Sequence, residues 1–350
     1  MKKIKYKNTK RQKHLIREEL SLYTVENKTI DQFINRVIEG DCVEIMKNMP
    51  DESVDLIVTS PPYYNAIDYK MHVENPDKNY RSRPKTDYFE YLNFLEKSFR
   101  ECYRVLKNGK YCSVVVGTVL QDGKHIPLPF DFVKIMQKIG YEFCQDIIWH
   151  KCTAGIRRAG SVIQKPYPGY YYPNIMTEYI LIFRKQGDEI YKNKSKEEKE
   201  KSKIEIDSVF TRDIANNLWN IAPVPPRIIA HPCPFPEEIP FRLIKLYSYK
   251  GDIVLDPFAG AGTTLKVARY LGRNYVGCEI ERKYVQYANN FVYTKPNIRQ
   301  KQLIMDFKKI NLGEVIPAKN KRQKRYKKII QDSKISSNDF LFNLELKNEK

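Results

Sequence analysis

The sequence predicts an α/β fold: a mostly parallel β-sheet with helices on both faces. Two observations carry this. Short β-branched runs alternate with helix-length amphipathic segments through residues 36–187 and again through 236–296. Two of those runs also end in loops of unusual composition, S-P-P-Y at 60–63 and D-P-F-A-G-A-G at 256–262. In parallel sheets ligands sit beyond the carboxyl ends of the strands, so chemistry is expected at these loops.

Taken in order, the strands are 54–60 (VDLIVTS), 111–117 (YCSVVVG, after a K-N-G-K turn), 141–150, 178–185 (EYILIFRK), 252–258 (DIVLDPF) and 274–280 (NYVGCEI). Helices are expected at 87–106, 130–140, 236–248, 263–272 and 281–292. The charge-dense stretch 192–203 reads as a solvated loop or short exposed helix, and 204–235 as irregular and proline-rich. There is no internal repeat.

Hydrophobic residues make up 42% of the 350, enough for a sizeable core. Lys and Arg outnumber Asp and Glu 61 to 42, a net charge of +19, which points to a polyanionic partner such as nucleic acid. The cysteines (Cys42, Cys102, Cys112, Cys144, Cys152, Cys233, Cys278) form no C-x-x-C pair and are odd in number. That suits reduced thiols in a cytoplasm better than disulfides or a zinc site. No stretch is apolar enough for a signal peptide or a membrane span, so a membrane partner is not expected.

The run from 252 to 280 is the strongest signal. A strand ends at Asp256, a loop with Gly260 and Gly262 follows, and Thr263 and Thr264 open a helix. Glycines let backbone approach a ligand, and the new helix offers free N–H groups. The next strand ends at Glu279, where an acid suits the two hydroxyls of a ribose. The third glycine of a dinucleotide fingerprint is absent, Leu265 standing in its place, and no G-K-[ST] P-loop occurs.

At the other loop, Pro61 and Pro62 stiffen the backbone and lack N–H donors, which leaves their carbonyls as fixed acceptors. Ser60 adds a side-chain oxygen and Tyr63 a flat aromatic face. This set suits a planar base carrying an exocyclic amine. Such an amine is a poor nucleophile because its lone pair is delocalised into the ring. Acceptors aimed at its N–H groups favour a localised lone pair and the positive charge that develops on nitrogen. Neither a metal nor a covalent intermediate is needed. A base in a duplex must flip out to reach such a pocket.

With these motifs in place, the chain resembles the amino-methylating DNA methyltransferases of the permuted β group, in which the catalytic box precedes the cofactor loop. T-S-P-P-Y at 59–63 matches the catalytic box and D-P-F-A-G-A-G the cofactor loop, and the likeness spans roughly 36–292. It implies a Rossmann-like seven-stranded sheet with one antiparallel strand, EYILIFRK, and S-adenosyl-L-methionine as cofactor. It implies catalytic roles for Ser60, Pro61, Pro62 and Tyr63. Cofactor contacts are implied for Asp41, Cys42, Asp256, Phe258, Gly260, Gly262 and Thr263, with Glu279 on the ribose. A restriction endonuclease acting on the same site is an implied partner, and an orphan regulatory role the alternative. In this family Ser at the head of the box is associated with cytosine N4 and Asp more often with adenine N6, so N4-cytosine is favoured and N6-adenine is the alternative. Cys233 follows a proline, as the catalytic cysteine of C5-cytosine enzymes does, but it sits just before the cofactor loop and reads as structural.

The resemblance divides the chain into a basic extension (1–35), a catalytic half (36–187), a charged insertion and target-recognition region (188–230), a cofactor-binding half (231–296) and a basic tail (297–350). Candidate contacts to double-stranded DNA are Arg81 and Arg83 in one loop, and Arg157, Arg158 and Lys165 in another beside Tyr167, Tyr170, Tyr171 and Tyr172. The basic run 319–328 suits phosphate contact. Rival readings are an RNA or protein amine methyltransferase and a DNA-binding protein without catalysis. The latter is expected to lack Asp256, the glycines or Ser60.

Overall fold

The computed structural model describes residues 29–64, 87–121, 124–151, 168, 175–207, 210–224 and 235–298. The expectations at Arg81, Arg83, Arg157, Arg158, Lys165, the tyrosines at 167 and 170–172, Cys152, Cys233 and the basic run 319–328 lie outside the described residues.

The elements follow as β1 (Arg36–Glu39), α1 (Cys42–Lys47), β2 (Val54–Thr59), α2 (Tyr88–Val105), β3 (Leu106–Val116), a small hairpin of β4 (Val119–Gln121) and β5 (Lys124–Ile126), and α3 (Leu128–Ile139). Then come β6 (Glu142–His150), β7 (Thr177–Arg184), α4 (Lys196–Lys201), β8 (Leu218–Asn220), α5 (Glu238–Tyr247), β9 (Ile253–Asp256), α6 (Thr263–Tyr270), β10 (Asn274–Glu279) and α7 (Arg282–Phe291). The main sheet runs β1-β10-β9-β2-β3-β7-β6-β8. Every pairing is parallel except the two made by β7, the strand expected to be antiparallel.

The alternation of β2 shows why both faces are covered. Val54 and Ile57 join one core with Met46, Leu95, Phe99 and Phe132 from α1, α2 and α3. Leu56 and Val58 join the other with Leu243, Leu265 and Ala288 from α5, α6 and α7. Leu56, Ile57 and Val58 are fully buried, and each contributes about 1.5–3 kcal/mol.

Two expectations need correction. The sheet has eight strands rather than seven, because Trp219 in the proline-rich stretch pairs with Trp149. Three residues are too few to show a period-2 pattern, so burial of one tryptophan decides this strand. The K-N-G-K segment is no separate turn: β3 begins at Leu106, directly after α2, with a register irregularity opposite Val54 and Leu56. Gly109 permits it, since its φ is +77° and a Cβ there would lie 1.9 Å from the Asp188 carbonyl oxygen. The 192–203 stretch forms exposed α4, started by a reciprocal Ser195–Glu198 capping box.

The two halves read from sequence interleave in space. β1 pairs with β10, and β2 lies beside β9. The S-P-P-Y and cofactor loops, 196 positions apart from Ser60 to Asp256, therefore leave the same edge of adjacent strands.

Candidate active site

A cleft of about 230 Å³ opens at the carboxyl edge of the sheet. Gly40, Asp41 and Cys42 enter it after β1, and Ser60 and Pro62 after β2. Pro257, Phe258 and Gly260 enter after β9, and Glu279, Ile280 and Glu281 after β10, with Phe94 of α2 and Tyr284 of α7 closing the walls.

Glu279 is held from behind by backbone. Its Oε2 accepts from Gly260 N (2.8 Å) and its Oε1 from Glu281 N (2.9 Å). Burial nevertheless pushes its pKa up. Each oxygen keeps acceptor capacity, so the carboxylate is preset for a pair of hydroxyls. Gly260, at φ +51°, turns its N–H toward that carboxylate. Asp41 caps α1, its Oδ1 accepting from Val43 N (2.8 Å) and Glu44 N (3.2 Å). Cys42 is buried, its thiol pushed up to about 11 by burial, and packs 3.7 Å from Ser98 Oγ. It is a neutral wall atom.

Asp256, Gly262 and Thr263 do not line the cleft, although cofactor contact was expected of them. Asp256 is buried, and its Oδ1 accepts from Thr59 Oγ1 (2.6 Å) and Phe258 N (3.1 Å). It ties the cofactor loop to the end of β2. Burial pushes its pKa up to about 6. Gly262 starts α6 at φ +83°, where a Cβ would lie 3.0 Å from Ala288 Cβ, and Thr263 is buried behind the loop. These three shape the loop that presents Phe258 and Gly260.

The S-P-P-Y box is divided similarly. Ser60 and Pro62 face the cleft, Pro61 is buried, and Tyr63 stands beside the lining, half-buried. Tyr91 donates its hydroxyl hydrogen to the Pro62 carbonyl (2.8 Å), which fixes that carbonyl and occupies one of its two acceptor positions. Tyr63 donates to Glu178 Oε2 (2.6 Å), and Lys151 pairs with the other oxygen of that carboxylate. Sequence reasoning missed Phe94, Tyr91, Lys151, Glu178 and Ile280. Glu178 carried a usable signal, a lone acid directly ahead of the apolar run 179–183, and Ile280 another, an apolar β-branched residue directly after the ribose-type acid.

The donor set fits a nucleoside carrying a positive charge. It combines a preset carboxylate, apolar walls at Phe94, Phe258 and Ile280, and the acids Asp41 and Glu281. No group of His, Cys, Asp or Glu among the described residues could hold a metal ion. Their five cysteines are all free thiols. No helix among them is long and apolar enough to cross a membrane.

Such a cleft beside an S-P-P-Y box, on a sheet with one antiparallel strand, fits an S-adenosyl-L-methionine-dependent methyltransferase. A family model described as DNA methylase, N6_N4_Mtase, matches residues 54–290. The type II methyltransferase M.BglII of Bacillus subtilis is 32% identical over 281 residues, 76% of this chain and 71% of that protein. The chain belongs to the N6_N4_Mtase family of DNA methylases. M.HinfI of Haemophilus influenzae, also a type II methyltransferase, is 29% identical over 79% of this chain and 74% of its own. Among solved structures, a protein of Thermus thermophilus assigned as a DNA modification methylase, complexed with S-adenosyl-L-methionine, superposes with a TM-score of 0.56. It is 33% identical, over 73% of this chain and 94% of its own. The PvuII cytosine-N4-specific DNA methyltransferase shares the fold at a TM-score of 0.54 and 20% identity, over 77% of this chain and 89% of its own.

Proposed function

We propose that this DNA methylase modifies the exocyclic N4 of cytosine at a specific site in duplex DNA, with the target base flipped out of the helix. The observation that supports this reading is Ser60, a neutral hydroxyl at the cleft that Glu279 and Gly260 also line. When bound, S-adenosyl-L-methionine supplies an electrophilic methyl group on a sulfonium. Glu279 would hold the ribose hydroxyls, and Phe94, Phe258 and Ile280 would enclose the adenine. Ser60 Oγ would accept an N–H of the target amine, localising the nitrogen lone pair and accommodating the charge that grows there as the N–C bond forms and the sulfonium–methyl bond breaks. The surplus N–H proton would then leave to water. Tyr63 would stack on the base and set the line of approach. The catalytic box precedes the cofactor loop in the chain, the order of the β group. In this reading the net charge of +19 serves the DNA phosphates, and the enzyme works in the cytoplasm beside a restriction endonuclease of the same site.

The test is digestion to nucleosides of DNA from cells expressing the protein, with the product identified by mass. N4-methylcytosine is expected; N6-methyladenine alone overturns the choice of base. Ser60→Ala is expected to cut turnover at least about a hundredfold while cofactor binding survives. Full turnover in that variant overturns the assigned site.

A further inference from the structure

We propose that Glu178 is a positioning residue for methyl transfer: it anchors the Tyr63 hydroxyl and so sets the plane of the ring that receives the target base. The inference rests on Tyr63 belonging to the catalytic site.

Topology brings the carboxylate there. β7 is antiparallel to both neighbours, so its first residues, not its last, lie at the carboxyl edge where the cleft opens. Glu178 is the second residue of β7 and is 6% exposed. A buried carboxylate at the catalytic edge costs free energy unless its oxygens are bonded. Here each has a partner on a different element: Oε2 accepts from Tyr63 (2.6 Å), and Oε1 pairs with Lys151, the residue directly after β6. Lys151 is itself seated 5.0 Å from the centre of the Trp149 ring, whose Nε1 donates to the Ile221 carbonyl (2.8 Å). The anchor thus reaches back into the sheet core.

Gly117, just past β3, completes the arrangement. A Cβ there would lie 3.0 Å from Glu178 Cγ and 3.7 Å from Tyr63 Cε1, so a bare backbone is what lets acid and phenol sit side by side. Two prolines hold the Tyr63 backbone, and Tyr91 fixes the Pro62 carbonyl. The remaining freedom of Tyr63 is rotation about its side-chain bonds. A charge-assisted hydrogen bond at the far end of the ring removes it. The flipped base then meets a ring already in place, rather than one that must be ordered on binding.

The experiment measures methyl incorporation from labelled S-adenosyl-L-methionine into PCR-copied bacterial genomic DNA, which carries no modification. The variants are Glu178→Ala, Glu178→Gln, Tyr63→Phe, Tyr63→Phe with Glu178→Ala, Tyr63→Phe with Glu178→Gln, and Tyr63→Ala. Calorimetric cofactor binding is read for each. Glu178→Ala is expected to lower kcat about tenfold with cofactor affinity unchanged. Glu178→Gln keeps an acceptor oxygen and should recover most of that loss. In the Tyr63→Phe background, Glu178→Ala should add nothing further, since the bond is already gone. Multiplying losses, or a glutamine no better than alanine, overturns the proposal. If Glu178→Ala fails to bind cofactor, comparison of Glu178→Gln with and without Tyr63→Phe decides the same point. Tyr63→Ala separates the two readings: full turnover there overturns the site itself, whereas its collapse alongside independent Glu178 losses overturns only the anchor.

Discussion

Asp256 makes the cofactor loop a source of pH-dependent instability, and Asp256→Asn isolates it. Its side chain is wholly enclosed, and burial raises its pKa from 3.8 to about 6 against the opposing hydrogen bonds of Thr59, Thr264 and Phe258 N. A carboxyl whose folded pKa is raised binds its proton more tightly in the folded state. The folded state is therefore penalised as pH rises through the window from 3.8 to about 6, and fully penalised above it. A shift of about two units corresponds to about 3 kcal/mol, of which about half develops between about pH 5 and about pH 7.5. Asparagine is nearly isosteric, can still accept from Thr59 and Phe258 N, and does not titrate. Urea unfolding of both proteins at the two pH values gives the difference directly, with other titrating groups cancelling. The variant should gain about 1.5 kcal/mol on the wild type as pH rises from about 5 to about 7.5. A constant difference across that range, or one of opposite sign, refutes the argument that the buried acid resists ionisation.

Three other outcomes follow from the geometry. Glu279→Ala should weaken S-adenosyl-L-methionine binding at least about tenfold by calorimetry, because hydrogen bonds to a charged acceptor are at stake; equal affinity removes Glu279 from the ribose. Gly277→Ala should cost about 1–3 kcal/mol in urea unfolding, since its Cβ would lie 2.4 Å from Cδ1 of buried Leu265 and 3.2 Å from Ala259 Cβ. Wild-type stability would show that the core there can give way. Arg242→Met should destabilise by about 3–5 kcal/mol, because fully buried Arg242 pairs with Asp213 (2.5 Å) and Glu238 (3.0 Å) and stacks on Trp219. A loss under about 1 kcal/mol would mean those acids are satisfied without it.

The amino-acid sequence by itself determined the class of fold and the two loops that matter. Strand and helix periodicities are local properties. The residues that make the loops special, Pro61, Pro62, Gly260, Gly262 and Glu279, act through backbone geometry and charge that are readable in order along the chain. The antiparallel strand at 177–184 was legible through the resemblance, not from its pattern. The tertiary structure decided which of those residues face the cleft. Asp256 and Thr263 look like ligand residues in sequence, yet they lie behind the loop, because β9 sits beside β2 and the space under the loop is core. It also decided the eighth strand, a matter of Trp219 burial. Above all it joined Tyr63 to Glu178 and Lys151, 115 and 88 positions away. No local pattern carries such a pairing. It arises because strand order and strand direction bring the end of β2, the end of β6 and the start of β7 to one edge of one sheet.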